Sequence, residues 1–196
     1  MPAAESCRLY LVSPERLEHP EIFAHDLRAA FDGGDVAAFL LRLPDADDGA
    51  ITRAADTLRP LCQQRDVAFF LADRPDLAAK LDCDGVQVTA EGYAEARRIV
   101  GPQRQVGIVS PSSRHAAMEA ADAGADYVAF DVADLDLIEW WAGLFEVPSV
   151  AAGDVTIETA KAAIAAGADF LAVGRAVWEH KDGPEAAVRA FNALSS

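Results

Sequence analysis

The chain has 196 residues, a net charge of −15, 52% apolar residues and only 8% aromatic ones. That length suits one domain with a sizeable core, and the negative field disfavours a nucleic-acid or acidic-membrane surface. No apolar run reaches the eighteen residues of a membrane span, and the opening MPAAESCRLYLV has no basic segment ahead of a long apolar one, so neither a transmembrane helix nor a secretory signal is expected.

In chain order, apolar runs recur at CRLYLV (7–12), VAAFLL (36–41), VAFFL (67–71) and DGVQV (84–88). They continue at QVGIV (105–109), DYVAF (126–130), VPSVA (147–151) and DFLAV (169–173). Each run is continuous rather than alternating, as expected for parallel strands covered on both faces. Alanine-rich segments of helical period lie between them, among them SRHAAMEAADAG (113–124) and TIETAKAAIAAG (156–167). Two helices end in AGAD, at 123–126 and 166–169, which puts glycine just past the helix where the chain turns left-handed. Strand starts at 84, 105, 126, 147 and 169 are 21, 21, 21 and 22 residues apart. A strand, a turn and a short helix fill that period, so eight repeats predict a closed (β/α)8 TIM barrel forming a single domain over 1–196. An open doubly wound sheet is the alternative, but no Gly-x-Gly-x-x-Gly follows the first strand.

A barrel concentrates chemistry at the C-terminal ends of its strands and often binds phosphate after strands seven and eight. Those strands run into AAGD (151–154) and VGRAV (173–177). Gly153 and Gly174 would let backbone N–H groups approach an anion, and Arg175 would add charge-assisted hydrogen bonds. A phosphorylated small molecule is therefore an expected ligand despite the acidic surface. Cys7, Cys62 and Cys83 are scattered without Cys-x-x-Cys spacing, which favours a reducing, cytoplasmic setting over disulfides or zinc. His19, His25, His115 and His180 show no ligand spacing. Trp140 and Trp141 are helix neighbours about 100° apart, so both cannot point fully into one groove; ordinary packing of both is the first expectation, and an exposed one would mark a lid or the contact of a homo-oligomer.

Several segments together resemble the thiamine-phosphate synthase and thiazole tautomerase family. They are LYLVSP (9–14), FLLR (39–42), LADRPDLAAKLDCDGVQV (71–88), QVGIVSPSS (105–113), AGADYVAF (123–130), VPSVAAGDVT (147–156) and AAGADFLAVGRAV (165–177). The resemblance implies a TIM barrel that joins a thiazole phosphate to an aminopyrimidine carried on pyrophosphate, with Mg2+. It implies Arg42 beside the pyrophosphate, Asp73 on the metal, Gln87 in place of a strand-four histidine and Ser110 near the family serine of strand five. Glu91 stands next to the position of the second metal carboxylate, where the family's Gly-Gln-x-Asp reads Thr89, Ala90, Glu91, Gly92.

The chain also departs from that pattern. Pro44 replaces a lysine and Ala72 an asparagine, and DVADLDLIEWW (131–141) carries no lysine, arginine, serine, threonine or histidine where the family has a pyrophosphate-closing loop. Asp131, Asp134 and Asp136 would repel that group. Asp73 also reads as a cap for a helix opening near Pro75, and Ser110 has no neighbouring base to make it a nucleophile. Two functions are therefore expected from the sequence. One is the synthase reaction, with phosphate at Gly153, Gly174 and Arg175. The other is a non-catalytic or repurposed barrel that keeps the phosphate pocket.

Overall fold

Parallel strands bury both faces only when helices cover the outside and side chains fill the inside. The computed structural model of the protein describes residues 7–109 and 113–195. Its strands are β1 (Arg8–Val12), β2 (Ala38–Leu41), β3 (Ala68–Ala72), β4 (Gly85–Val88), β5 (Gln105–Val109), β6 (Tyr127–Asp131), β7 (Ser149–Ala152) and β8 (Phe170–Val173). They close in sequence order, every neighbouring pair parallel, into a (β/α)8 barrel. Around it run α1 (Pro20–Asp32), α2 (Asp48–Gln63), α3 (Pro75–Lys80), α4 (Tyr93–Val100), α5 (Arg114–Asp122), α6 (Leu135–Ala142), α7 (Ile157–Ala165), α8 (Arg175–Trp178) and α9 (Pro184–Asn192).

The two-residue period of a strand divides the apolar residues into two cores. Leu9, Leu11, Phe39, Leu41, Phe69, Leu71, Val86, Ile108, Phe130 and Leu171 face outward against the helices. Tyr10, Leu40, Phe70, Tyr127, Ala129, Val150 and Ala172 fill the inside. Room for the inner rings comes from missing side chains. A Cβ on Gly107 would lie 1.9 Å from the Tyr127 ring, and one on Gly85 would lie 2.4 Å from the Phe70 ring.

The expected strand-opening aspartates sit just before their strands, and each ties its strand to the preceding one. The Asp84 carboxylate accepts from Phe69 N–H at 2.7 Å and that of Asp126 from Val106 N–H at 2.7 Å. Asp169 accepts from Ser149 N–H at 2.8 Å. Asp35 completes the set by accepting both guanidinium bonds of Arg8, at 2.6 and 2.9 Å. Strands β1/β2, β3/β4, β5/β6 and β7/β8 are thus clamped pairwise at the base of the barrel.

Helix boundaries follow local chemistry. Ser113 caps α5 by accepting from Ala116 N–H, and Thr156 forms a capping box with Thr159 ahead of α7. Gly124 and Gly167 end the α5 and α7 segments with φ of +90° and +94°, the left-handed turn expected for AGAD. One expectation is corrected. Asp73 does not cap α3: the capping position is Arg74, without a side-chain cap bond, and Asp73 itself is held left-handed at φ +58°. The tryptophan pair divides as the helical period requires. Trp141 is fully buried and donates to Val147 O at 2.7 Å, while half-buried Trp140 lies under the Arg114 guanidinium.

Candidate active site

The C-terminal strand ends open into a cavity of about 880 Å3. Its floor is the inward-facing layer: Tyr10, Val12, Leu40, Gln87, Val109, Ala152 and Ala172. Its rim comes from the following loops and carries the charge: Glu15, Arg42, Asp131, Asp154, Arg175 and Glu179. Gly153, Gly174, Ser13, Pro14 and Trp178 complete the wall.

Five of the residues singled out from sequence, Arg42, Gln87, Gly153, Gly174 and Arg175, come together here. Arg42 follows β2 and Arg175 follows β8, so the two guanidiniums flank β1. Each is already paired with a loop carboxylate. Arg42 donates to Glu15 at 2.9 Å and Arg175 to Asp154 at 2.7 Å, all four side chains well exposed. Exposed pairs of this kind contribute about 0–1 kcal/mol, so neither carboxylate holds its guanidinium strongly. Gly153 has φ +103°, a conformation that strains any residue with a Cβ, and its missing Cβ would sit 3.6 Å from both Asp131 carboxylate oxygens.

Asp73 and Glu91 stand apart from this cavity. Asp73 follows β3 and is exposed, its N–H bonded to Gln87 O at 2.9 Å, and its carboxylate meets no described partner. Left-handed backbone at a non-glycine strand end is a form of strain that collects at functional sites. Glu91 lies exposed in a short 3-10 turn (Ala90–Gly92), its carboxyl held below the usual range by its own backbone N–H and by the Thr89 hydroxyl. Arg74, beside Asp73, bridges α2 and α3 through Asp48 at 2.6 Å and Asp76 at 2.9 Å, so its charge is directed to helix ends. Among the described residues no group of three or more His, Cys, Asp or Glu side chains is placed to hold a metal ion. Ser110 lies outside the described residues.

Several wall residues escaped sequence reasoning. Ser13 is buried, accepts from Arg42 N–H at 3.0 Å and donates to Pro14 O, fixing the backbone that presents Arg42. Trp178 donates to Val12 O at 2.6 Å and packs edge-on against Phe23, pinning the β8 loop to β1. Tyr127, beneath the floor, donates to Gln87 Oε1 at 3.1 Å and shares a 2.8 Å hydrogen bond with Tyr10. The strand period alone marks Tyr10 and Tyr127 as inward-facing, but their mutual contact spans 117 residues of sequence. Thiol chemistry is disfavoured at neutral pH, because burial pushes Cys7 and Cys83 up to about 12.

The family model described as thiamine monophosphate synthase matches residues 9–177. The chain is 52% identical to the thiamine-phosphate synthase of Rhodospirillum centenum, over 95% of this chain and 96% of the relative. It is 41% identical to that of Erythrobacter litoralis, over 94% and 93% of the two chains. The chain belongs to the thiamine monophosphate synthase family. Among solved structures, a thiamine phosphate pyrophosphorylase from Pyrococcus furiosus superposes with a TM-score of 0.84 at 27% identity, covering 98% of this chain and 96% of the other. Four carboxylates face two guanidiniums across the cavity.

Proposed function

We propose that this barrel carries out the thiamine-phosphate synthase reaction. The ring nitrogen of a thiazole phosphate forms a C–N bond to the methylene carbon of an aminopyrimidine as that carbon's C–O bond to diphosphate breaks. The observation that carries this reading is the pair of guanidiniums flanking β1 within one cavity, since the reaction needs two anion sites side by side. Gly153, Gly174 and Arg175 hold the thiazole phosphate, and Arg42 faces the departing diphosphate. These groups stabilise leaving-group charge instead of supplying a nucleophile. Whole-length likeness to relatives named as synthases supports the same reading.

Magnesium commonly takes one or two carboxylates and completes its shell with water and substrate phosphate oxygens. Asp73, outside the cavity lining, would offer one unpartnered carboxylate toward that demand. Glu91 would have to leave its Thr89 contact to join it. When bound, the ion would neutralise diphosphate charge. The setting we propose is cytoplasmic; no helix among the described residues is long and apolar enough to cross a membrane.

A second reading is a barrel that binds a phosphorylated ligand without coupling it. The excess of carboxylates on the rim favours this reading, as does the absence of any cation or hydroxyl in DVADLDLIEWW (131–141). Purified protein supplied with both synthase substrates and magnesium separates the two. Steady turnover supports the synthase reading. Its absence, together with a larger thermal shift from thiazole phosphate than from the free thiazole, supports the binding barrel. Equal shifts would remove the phosphate pocket from both readings.

A further inference from the structure

The cavity floor holds one side-chain amide in an otherwise apolar layer, and the bonds beneath it set which way that amide faces. Gln87 Oε1 accepts the Tyr127 hydroxyl at 3.1 Å. Tyr127 has a single proton, so giving it to Gln87 obliges its oxygen to accept from Tyr10, 2.8 Å away. Burial raises both phenols far above neutrality, so each keeps that proton. Both rings pack against Phe70, whose centroid lies 5.6 Å from Tyr10 and 5.8 Å from Tyr127, and Gly107 leaves the room that the Tyr127 ring fills.

With its oxygen engaged below, the Gln87 NH2 group has no partner among the described residues. No buried side-chain polar atom among them is left unsatisfied, so this NH2 opens onto the cavity that Gln87 lines. The surrounding floor of Leu40, Val109, Ala152 and Ala172 suits a flat ring, while the charged groups sit above on the rim. In the closed strand order β4 lies four strands from β8 in either direction, and two from β2. A ring against Gln87 therefore belongs to the ligand whose anion is at Arg42, not to the one at the β7 and β8 turns.

We propose that Gln87 selects the aminopyrimidine by donating its amide N–H to a ring nitrogen, with Tyr127 and Tyr10 as positioning residues that hold the donor upward. This assignment rests on the coupling reaction proposed above. Calorimetric titration of the full chain tests it, using the aminopyrimidine diphosphate and two analogues in which one ring nitrogen or the other is replaced by CH. One analogue is expected to bind wild-type protein about fivefold more weakly, the equivalent of one net hydrogen bond. That difference should shrink below twofold in Gln87→Met and in Tyr127→Phe.

Equal binding of all three compounds to the wild type would overturn the role of Gln87, and needs no variant to fold. A fivefold difference that persists in Gln87→Met would move the contact to another residue. If it persists in Tyr127→Phe alone, the positioning role fails while the Gln87 contact stands. Failure of the parent diphosphate to bind wild type would sink both this assignment and the coupling reaction, whereas binding without discrimination sinks only the assignment.

Discussion

At the base of the barrel, Asp84, Asp126 and Asp169 each accept a backbone N–H from the neighbouring strand, and Asp35 takes both bonds of Arg8. At the mouth, Glu15 and Asp154 hold exposed arginines that no backbone secures, while Asp131 faces a bare glycine turn. The residue types are the same, yet Asp84, Asp126 and Asp169 are bound into the sheet, whereas Glu15 and Asp154 hold only an exposed side chain. Strand geometry accounts for the difference. At the base, an N–H within the first two residues of β3, β5 and β7 finds its acceptor in an aspartate side chain, whereas the strand ends at the mouth run into loops.

The sharpest test of this division is Arg42→Gln at the mouth. Turnover should fall about a hundredfold or more, the usual loss when one group stabilising developing negative charge is removed. Its exposed pair with Glu15 implies a melting temperature within about 2 °C of wild type. A large loss of stability would break the comparison. At the base, Asp126→Ala should do the reverse. It strips an acceptor from Val106 N–H and a partner from Arg97, costing about 2 kcal/mol in urea unfolding, with thiazole phosphate affinity unchanged within about twofold.

Gly153→Ala bridges the two ends. Its φ of +103° makes a Cβ costly by about 1–2 kcal/mol, and the cavity-lining turn proposed to hold the phosphate must shift, so stability and phosphate affinity should fall together. Smaller still is Asp154→Asn. Releasing Arg175 should raise affinity for inorganic phosphate by about two- to fivefold at low salt, and the gain should vanish at high ionic strength. Weaker phosphate binding would instead mean that Asp154 orients the arginine.

The smallest effect concerns pH. Hydrogen bonding from Arg8 holds the Asp35 carboxyl below its ordinary range. A depressed folded value stabilises above the unfolded pKa of about 3.9 and is lost as pH falls through the folded one. Asp35→Asn should therefore melt slightly below wild type at pH 7, by about 0.5 kcal/mol or less because the pair is half-exposed. The gap should close in melts taken well below pH 4.

Periodicity by itself determined the barrel. Continuous apolar runs about 21 residues apart, with AGAD closing two helices, leave few ways to bury both faces of every strand. It also marked the strand ends that carry Gly153, Gly174 and Arg175, because position along a strand translates directly into position along the barrel axis, whereas Arg42 and Gln87 were picked out by the family resemblance. What only the tertiary structure decided is how distant segments meet across the ring. Arg42 pairs with Glu15 and rests on Ser13, Arg74 turns to Asp48 and Asp76, and Gln87 is held by Tyr127 with Tyr10 behind it. Those contacts join residues 26 to 117 positions apart, apart from the local Arg74–Asp76 bond. Local sequence encodes direction and period, whereas partnership across a closed sheet arises only when the chain comes round to meet itself.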